Sequence, residues 1–133
     1  MNRIRVIIKE VTISGGVILV DMEAEDCLMS ALLIDSAVNP GWLQKGASIY
    51  AIFKETEITL AKNLSGRIST RNRLPCTIRN VVRGQLMSVV SMQFGKYTIE
   101  SAVTTRAVDL LELKAGQNVT ALIKANEITL MQK

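Results

Sequence analysis

Ten residues near the end of the chain, Ala121-Leu122-Ile123-Lys124-Ala125-Asn126-Glu127-Ile128-Thr129-Leu130, restate Ala51-Ile52-Phe53-Lys54-Glu55-Thr56-Glu57-Ile58-Thr59-Leu60 at an offset of 70. The offset holds without a gap across the first half. Asn2-Arg3, Ile8, Val11, Val20, Met22, Ala37-Val38, Leu43 and Gly46 return as Asn72-Arg73, Ile78, Val81, Val90, Met92, Ala107-Val108, Leu113 and Gly116. Residues 1–63 laid on 71–133 give 16 identities in 63 pairs. The chain is a tandem duplication, and any fold must accommodate two copies of one plan.

The repeat divides 133 residues into two units, 1–63 and 64–133. Units of this size have marginal cores. Packing against each other or forming an oligomer would offset that weakness. Hydrophobic content of 48% with 21% charge is that of a soluble globular protein. No signal peptide is visible, and the apolar runs are too short to cross a membrane, so a cytoplasmic location is expected. Cys27 and Cys76 occupy non-equivalent repeat positions without metal-type spacing, and read as small core residues in a reducing compartment. The absence of histidine counts against a free metal cation and removes the commonest general base. Net charge is +4, split as −2 over residues 1–62 and +6 over 63–133. The basic half points to an anionic partner, although an uneven idle surface explains the charge equally well.

Taken in order, the pattern predicts strands at Arg3–Val11, Val17–Val20, Leu28–Ile34 and Ser48–Phe53, with Glu57–Ala61 closing the unit. Ser14-Gly15-Gly16 turns, Glu23–Asp26 loops, and Asp35 caps a single helical turn through Val38, stopped by Pro40-Gly41. The second unit repeats this near 74–82, 85–92, 98–103, 118–123 and 127–131, with Thr105 capping its helix. Pro75 implies a bend or an edge in its strand. Five short strands with one helix between the third and fourth suit an all-β chain of two tandem OB-like barrels. The connection, 62–70, is short enough to hold the halves close.

Three constellations could carry chemistry. Ser69-Thr70-Arg71-Asn72-Arg73, if extended, would align Ser69, Arg71 and Arg73 on one face as a donor-only surface for an oxyanion. A solvated basic strand edge is the competing explanation. Thr104-Thr105-Arg106-Ala107 opens the second helix, where free N–H groups, two hydroxyls and Arg106 favour an anion. An ordinary threonine cap would look the same. The first unit has Ile34-Asp35-Ser36 there, and the Asp35 carboxylate would repel an anion. Lys124, matched by Lys54, lies between two strands, where a solvated lysine is the usual finding. No nucleophile–base pair, acid/base carboxylate pair or phosphate-binding loop appears, so an enzyme is not expected. OB folds also bind single-stranded nucleic acid through aromatic platforms. The five aromatics Trp42, Tyr50, Phe53, Phe94 and Tyr97 are scattered, which counts against that partner.

At these residues the chain resembles the molbindin, or Mop/TOBE, domains that bind molybdate and tungstate. Their pattern Ser-x-Arg-Asn, a glycine-turn hairpin, Ile-Thr-x-x-Ser-Val and Leu-x-x-Gly-x-x-Val-x-Ala-Leu-Ile-Lys-Ala is met by Ser69-Thr70-Arg71-Asn72, Gly84 and Val103-Thr104-Thr105-Arg106-Ala107-Val108. Leu113, Gly116 and Val119-Thr120-Ala121-Leu122-Ile123-Lys124-Ala125 complete it. The likeness covers nearly all of the second unit and, more faintly, the first. The tandem arrangement is similar to the family's double-domain molybdate-binding proteins and to the sensing half of molybdate-responsive regulators.

The resemblance implies a bound molybdate or tungstate held by Ser69, Arg71, Thr104 and Lys124, at interfaces within a homo-oligomer, a trimer being favoured. Thr70, Thr105, Ala107 and Lys54 are weaker candidates. Ala107 departs from the family's serine, and Met1 and Ile34 replace the arginine and threonine in the first unit. Two functions follow: intracellular oxyanion storage or homeostasis, and a ligand-sensing domain of a molybdate-responsive regulator or transporter component.

Overall fold

The computed structural model describes residues 1–34 and 39–133. The helical turn expected over Asp35–Val38 lies outside the described residues. The first unit contributes β1 (Asn2–Ser14), β2 (Val17–Ala24), β3 (Cys27–Leu33), β4 (Ser48–Phe53) and β5 (Thr59–Ala61). The second contributes β6 (Asn72–Val82), β7 (Met87–Phe94), β8 (Tyr97–Thr104), helix α1 (Thr105–Leu111), β9 (Asn118–Ile123) and β10 (Thr129–Gln132). Alternation sets the faces. In β1, Asn2, Ile4, Val6 and Ile8 are buried while Arg3, Arg5 and Ile7 point outward. Glu23 and Ala24 extend β2 rather than forming a loop, so the turn is confined to Glu25 and Asp26.

Each long first strand serves two neighbours. Asn2–Ile7 of β1 pair with β4, Ile7–Ser14 pair with β2, and the register shifts between Ile8 and Glu10. β6 does the same, with its shift between Ile78 and Asn80, the positions 70 residues on. A bulge there bends the strand and lets one sheet curl. The bend is held by Gly46 N–H to Ile8 O (2.8 Å) and by Gly116 N–H to Ile78 O (2.7 Å). Both glycines have φ near +90°, which strains any other residue.

The closing strands are exchanged. Two antiparallel five-stranded sheets run β10-β4-β1-β2-β3 and β5-β9-β6-β7-β8. Thr59–Ala61 therefore pair with β9 of the second unit, and Thr129–Gln132 with β4 of the first. The expectation that Glu57–Ala61 closes its own unit is corrected. A turn of 3-10 helix, Glu55–Glu57 or Ala125–Glu127, carries the chain across each time. Buried side chains of both units form one continuous core, with Phe53, Phe94, Met22, Met92, Leu74 and Ile99 among its largest members.

Two buried asparagines tie the units together. Asn72 Oδ1 accepts from Ser30 N–H (2.7 Å), and its Nδ2 donates to Ser30 O and Ile123 O (2.9 Å each). Asn2 makes the mirror contact, accepting from Glu100 N–H (2.7 Å) and donating to Glu100 O (2.8 Å). Nearby, Arg5 N–H donates to the Tyr97 hydroxyl. Its repeat-mate Pro75 has no N–H. Since Arg5 directs its amide outward, away from β4, proline at the equivalent place in β6 forfeits no ladder bond. Cys27 takes the place of Tyr97 and donates to Arg73 O.

Removing one amide should leave its backbone partners orphaned. Asn72→Ala is expected to destabilise the chain by about 2–4 kcal/mol and Asn2→Ala by about 1–3 kcal/mol. Urea unfolding measures both, and a loss under about 0.5 kcal/mol for Asn72→Ala would refute the clamp. The cysteines give a second check. Burial pushes the Cys76 thiol up to about 12 and also raises Cys27. A colorimetric disulfide reagent at pH 8 should then label at most one thiol, slowly, until denaturant exposes the second; two rapid native thiols would contradict this packing.

Candidate oxyanion site

The donors expected from the sequence occupy two different pockets. An open pocket of about 300 Å³ is lined by Thr56, Glu57, Thr59, Ile68, Thr70, Leu122, Lys124 and Glu127. Ser69 and Arg71 flank its Ile68 and Thr70 in the chain and are exposed. A larger groove of about 730 Å³ is lined by Gln85, Leu86, Thr104, Thr105, Arg106, Asp109 and Leu110. No lining residue is shared. Within one chain, Thr70 and Lys124 belong to one surface and Thr104 to the other.

In the first pocket the linker departs from the extended form expected of it. Ser69 lies in a bend, and β6 begins only at Asn72. Arg71 curls back, with Nε donating to Ser69 O (3.3 Å) and Nη2 to Ile68 O. Arg73 does likewise, to Thr70 O (3.1 Å) and Ile68 O (3.0 Å). The simple alignment of Ser69, Arg71 and Arg73 is therefore replaced by two guanidiniums bracing the linker. Each retains N–H groups beyond those two bonds. Lys124 is exposed at the entry to its 3-10 turn, and among the described residues it has no carboxylate within 4 Å. Lys54 holds the equivalent place before Glu55, also exposed, and lines neither pocket. Glu57 and Glu127, unanticipated in the sequence, share the Lys124 pocket and oppose an anion deep within it.

In the groove, the two threonines divide their roles. Thr104 is the N-cap of α1, its Oγ1 accepting from Ala107 N–H (3.1 Å), so its own proton remains free to donate. Thr105 is buried; its Oγ1 donates to Gly84 O (2.9 Å) and meets Ser88 Oγ at 2.7 Å. That hydroxyl is spent on structure, which removes Thr105 as a ligand donor. The helix entrance also offers fewer free amides than expected, because Thr105 N–H donates to Leu86 O and Ala107 N–H to Thr104. Gly84 is required where it stands, since a Cβ would lie 2.2 Å from Met87 O. Lys62 caps the far end of α1, donating to Leu111 O (2.9 Å) and Glu112 O (3.3 Å).

Gln85, Asp109 and the apolar rim of Leu86 and Leu110 went unnoticed in the sequence. Leu86 is 82% exposed and Leu110 75%, with Met87 at 58% beside them. Asp109 pairs with Arg83 at 2.7 and 3.4 Å. Arg106, exposed, takes part in none of the ion pairs among the described residues. No described helix is long and apolar enough to cross a membrane.

Known proteins match this geometry. The TOBE domain family matches residues 68–130. The cytoplasmic molybdate-binding protein ModG, crystallised with molybdate bound, superposes with a TM-score of 0.92 at 25% identity, over 99% of this chain and 96% of its own. A molybdate-binding protein from Sporomusa ovata is 34% identical with a TM-score of 0.50; half of this chain covers all of it. The molybdenum transport protein ModE of Herbaspirillum seropedicae is 31% identical over 97 residues, 71% of this chain but 36% of ModE. The chain thus spans about a third of that relative's length. With its second half matching the domain profile and both halves following the fold of a tandem relative, the chain belongs to the TOBE (Mop) domain family in the double-domain arrangement.

Proposed function

We propose that this chain binds molybdate or tungstate, as a tetrahedral dianion, for cytoplasmic storage or homeostasis, and that it does so without catalysis. The observation that carries this reading is the partition of hydroxyl, guanidinium and ammonium donors between two surfaces of a fold shared with a molybdate-bound relative. Ser69, Arg71 and Lys124 form one half-site, with Thr70 beside them, and Thr104 supplies the other, near Ala107 and Arg106. Two half-sites on different surfaces of one chain meet when copies associate head to tail, and such contacts form a ring where the rotation between copies closes. The bare rim of Leu86, Met87 and Leu110 supplies apolar area for that contact. We favour a trimer.

Chemistry supports the oxyanion. Guanidinium and ammonium groups only donate, hydroxyls have a proton to donate, and charge-assisted bonds to an anion are the strongest of these. In such an assembly the cationic Arg71 and Lys124 would offset the Glu57 and Glu127 carboxylates that line the same pocket as Lys124. A sensing domain of a larger regulator or transporter is the second reading, favoured by the chain's match to one third of ModE. Several oxyanions per oligomer, bound with no other domain present, favour storage; a single site coupled to a partner favours sensing.

Calorimetry with molybdate, tungstate, sulfate and phosphate tests the assignment, with light scattering for the mass. Arg71→Ala should weaken molybdate about 10- to 150-fold, and Thr104→Val less, since a neutral donor contributes about 0.5–1.5 kcal/mol. Lys54→Ala should change little. Thr105→Val should lower stability by about 1–3 kcal/mol while sparing affinity more than Thr104→Val does. Mixing Arg71→Ala with Thr104→Val chains should restore about a quarter of the sites, those joining two intact half-sites. A 14.6 kDa monomer in the presence of molybdate, or no recovery on mixing, would sink the shared site.

A further inference from the structure

We propose that Arg83 acts as an electrostatic screen for the oxyanion groove, a positioning residue that silences Asp109 rather than touching the ligand; this rests on the oxyanion reading above. Asp109 lines the same groove as Thr104, Arg106 and Gln85. Because Asp109 and Thr104 line the same groove, an unpaired carboxylate there would repel a dianion held at Thr104, and the repulsion would be strongest at low salt. Arg83, from the turn joining β6 to β7, covers Asp109 in a fork, Nη1 to Oδ1 at 2.7 Å and Nη2 to Oδ2 at 3.4 Å. The pairing holds the Asp109 carboxyl below its ordinary range and Arg83 above its own, so both stay charged.

Stability does not account for the pair. Both side chains are more than half exposed, and exposed ion pairs contribute little to folding. The duplication supplies an internal control. The positions matching Arg83 and Asp109 in the first unit are Ile13 and Asn39, so the sheet frame that the two units share requires neither charge. Both charges accompany Thr104 and Arg106, whose first-unit counterparts are Ile34 and Ser36. Asp109 also sits one turn from the entrance of a helix whose other lining groups are neutral or cationic. Left alone it would be the acid nearest Arg106 on α1; paired, it presents a neutral wall.

Full-length wild type, Arg83→Gln, Asp109→Asn and the double variant are titrated with molybdate at low and high salt, with thermal unfolding alongside. Arg83→Gln should weaken binding about three- to tenfold at low salt, as expected for a newly bared charge in the same groove as a dianion. The loss should shrink at high salt. Asp109→Asn should bind at least as well as wild type, and adding it to Arg83→Gln should restore affinity to within about twofold. Melting temperatures should stay together, which a merely structural pair would not predict if affinity moves. Unchanged affinity in Arg83→Gln overturns the screen, as does failure of Asp109→Asn to rescue it. A wild-type chain that binds no oxyanion overturns the functional reading itself, and the screen with it.

Discussion

A carboxamide carries the C=O acceptor and N–H donor that a peptide unit offers its neighbour in a sheet, and one further N–H besides. Asn72 and Asn2 use that complement on the backbones of Ser30 and Glu100, so each side chain stands in for a strand that is not there. An aspartate would lack the donors, and a leucine would leave buried N–H and C=O groups without partners. No buried side-chain nitrogen or oxygen among the described residues lacks a partner. The clamp fixes the first residues of β1 and β6 against the opposite unit. Because Arg71 immediately precedes Asn72 and Ser69 lies three residues before it, the half-site proposed for them would inherit its position from that amide.

Exchange of β5 and β10 makes the clamp and the core one system. A unit of about 65 residues buries too little surface to be secure alone. Giving its last strand to the other sheet removes the choice: neither half can leave without breaking the β5–β9 and β10–β4 ladders. The hairpin tips add to this, with Lys96 N–H donating to the Glu25 carboxylate across the pseudo-twofold arrangement. The strictest repeat in the sequence, Ala51–Leu60 against Ala121–Leu130, is this crossover. Ala51 and Ala121 are fully buried, Ile58 and Ile128 nearly so, and each lysine stands where the chain leaves one sheet for the other.

That crossover marks the limit of what the sequence can disclose. Strands and the glycine turns at Gly46 and Gly116 are local events, set by alternation and positive φ, and they were legible. The helix start was legible to within one residue, the cap falling on Thr104 rather than on the expected Thr105. Which of two near-identical β4-like edges a closing strand joins is not local. Leu60 and Leu130 fit either edge, so the sequence is degenerate between closure and exchange. The site shows the same boundary. Thr104 and Thr105 are adjacent hydroxyls of equal chemistry, and only burial against Ser88 and Gly84 assigns one to structure. Arg71 advertised its charge, but its bend onto Ile68 and Ser69 depends on a linker path that no periodicity encodes.

The two copies separate what the fold needs from what a ligand needs. Asn2/Asn72, Gly46/Gly116, Ala51/Ala121 and Ile58/Ile128 are identical, and each has a structural duty. Lys54/Lys124 is identical too, at a crossover both units share, so its recurrence by itself says nothing about an anion. The positions that differ are the informative ones. Ile34 against Thr104, Ser36 against Arg106, Ile13 against Arg83 and Asn39 against Asp109 all bear on one groove; in three of the pairs the second unit adds a formal charge, and in the other a hydroxyl replaces an apolar side chain. A duplicated chain with one functional face would diverge in this way, its identities following the hydrogen-bonded frame and its differences gathering where the frame meets a partner.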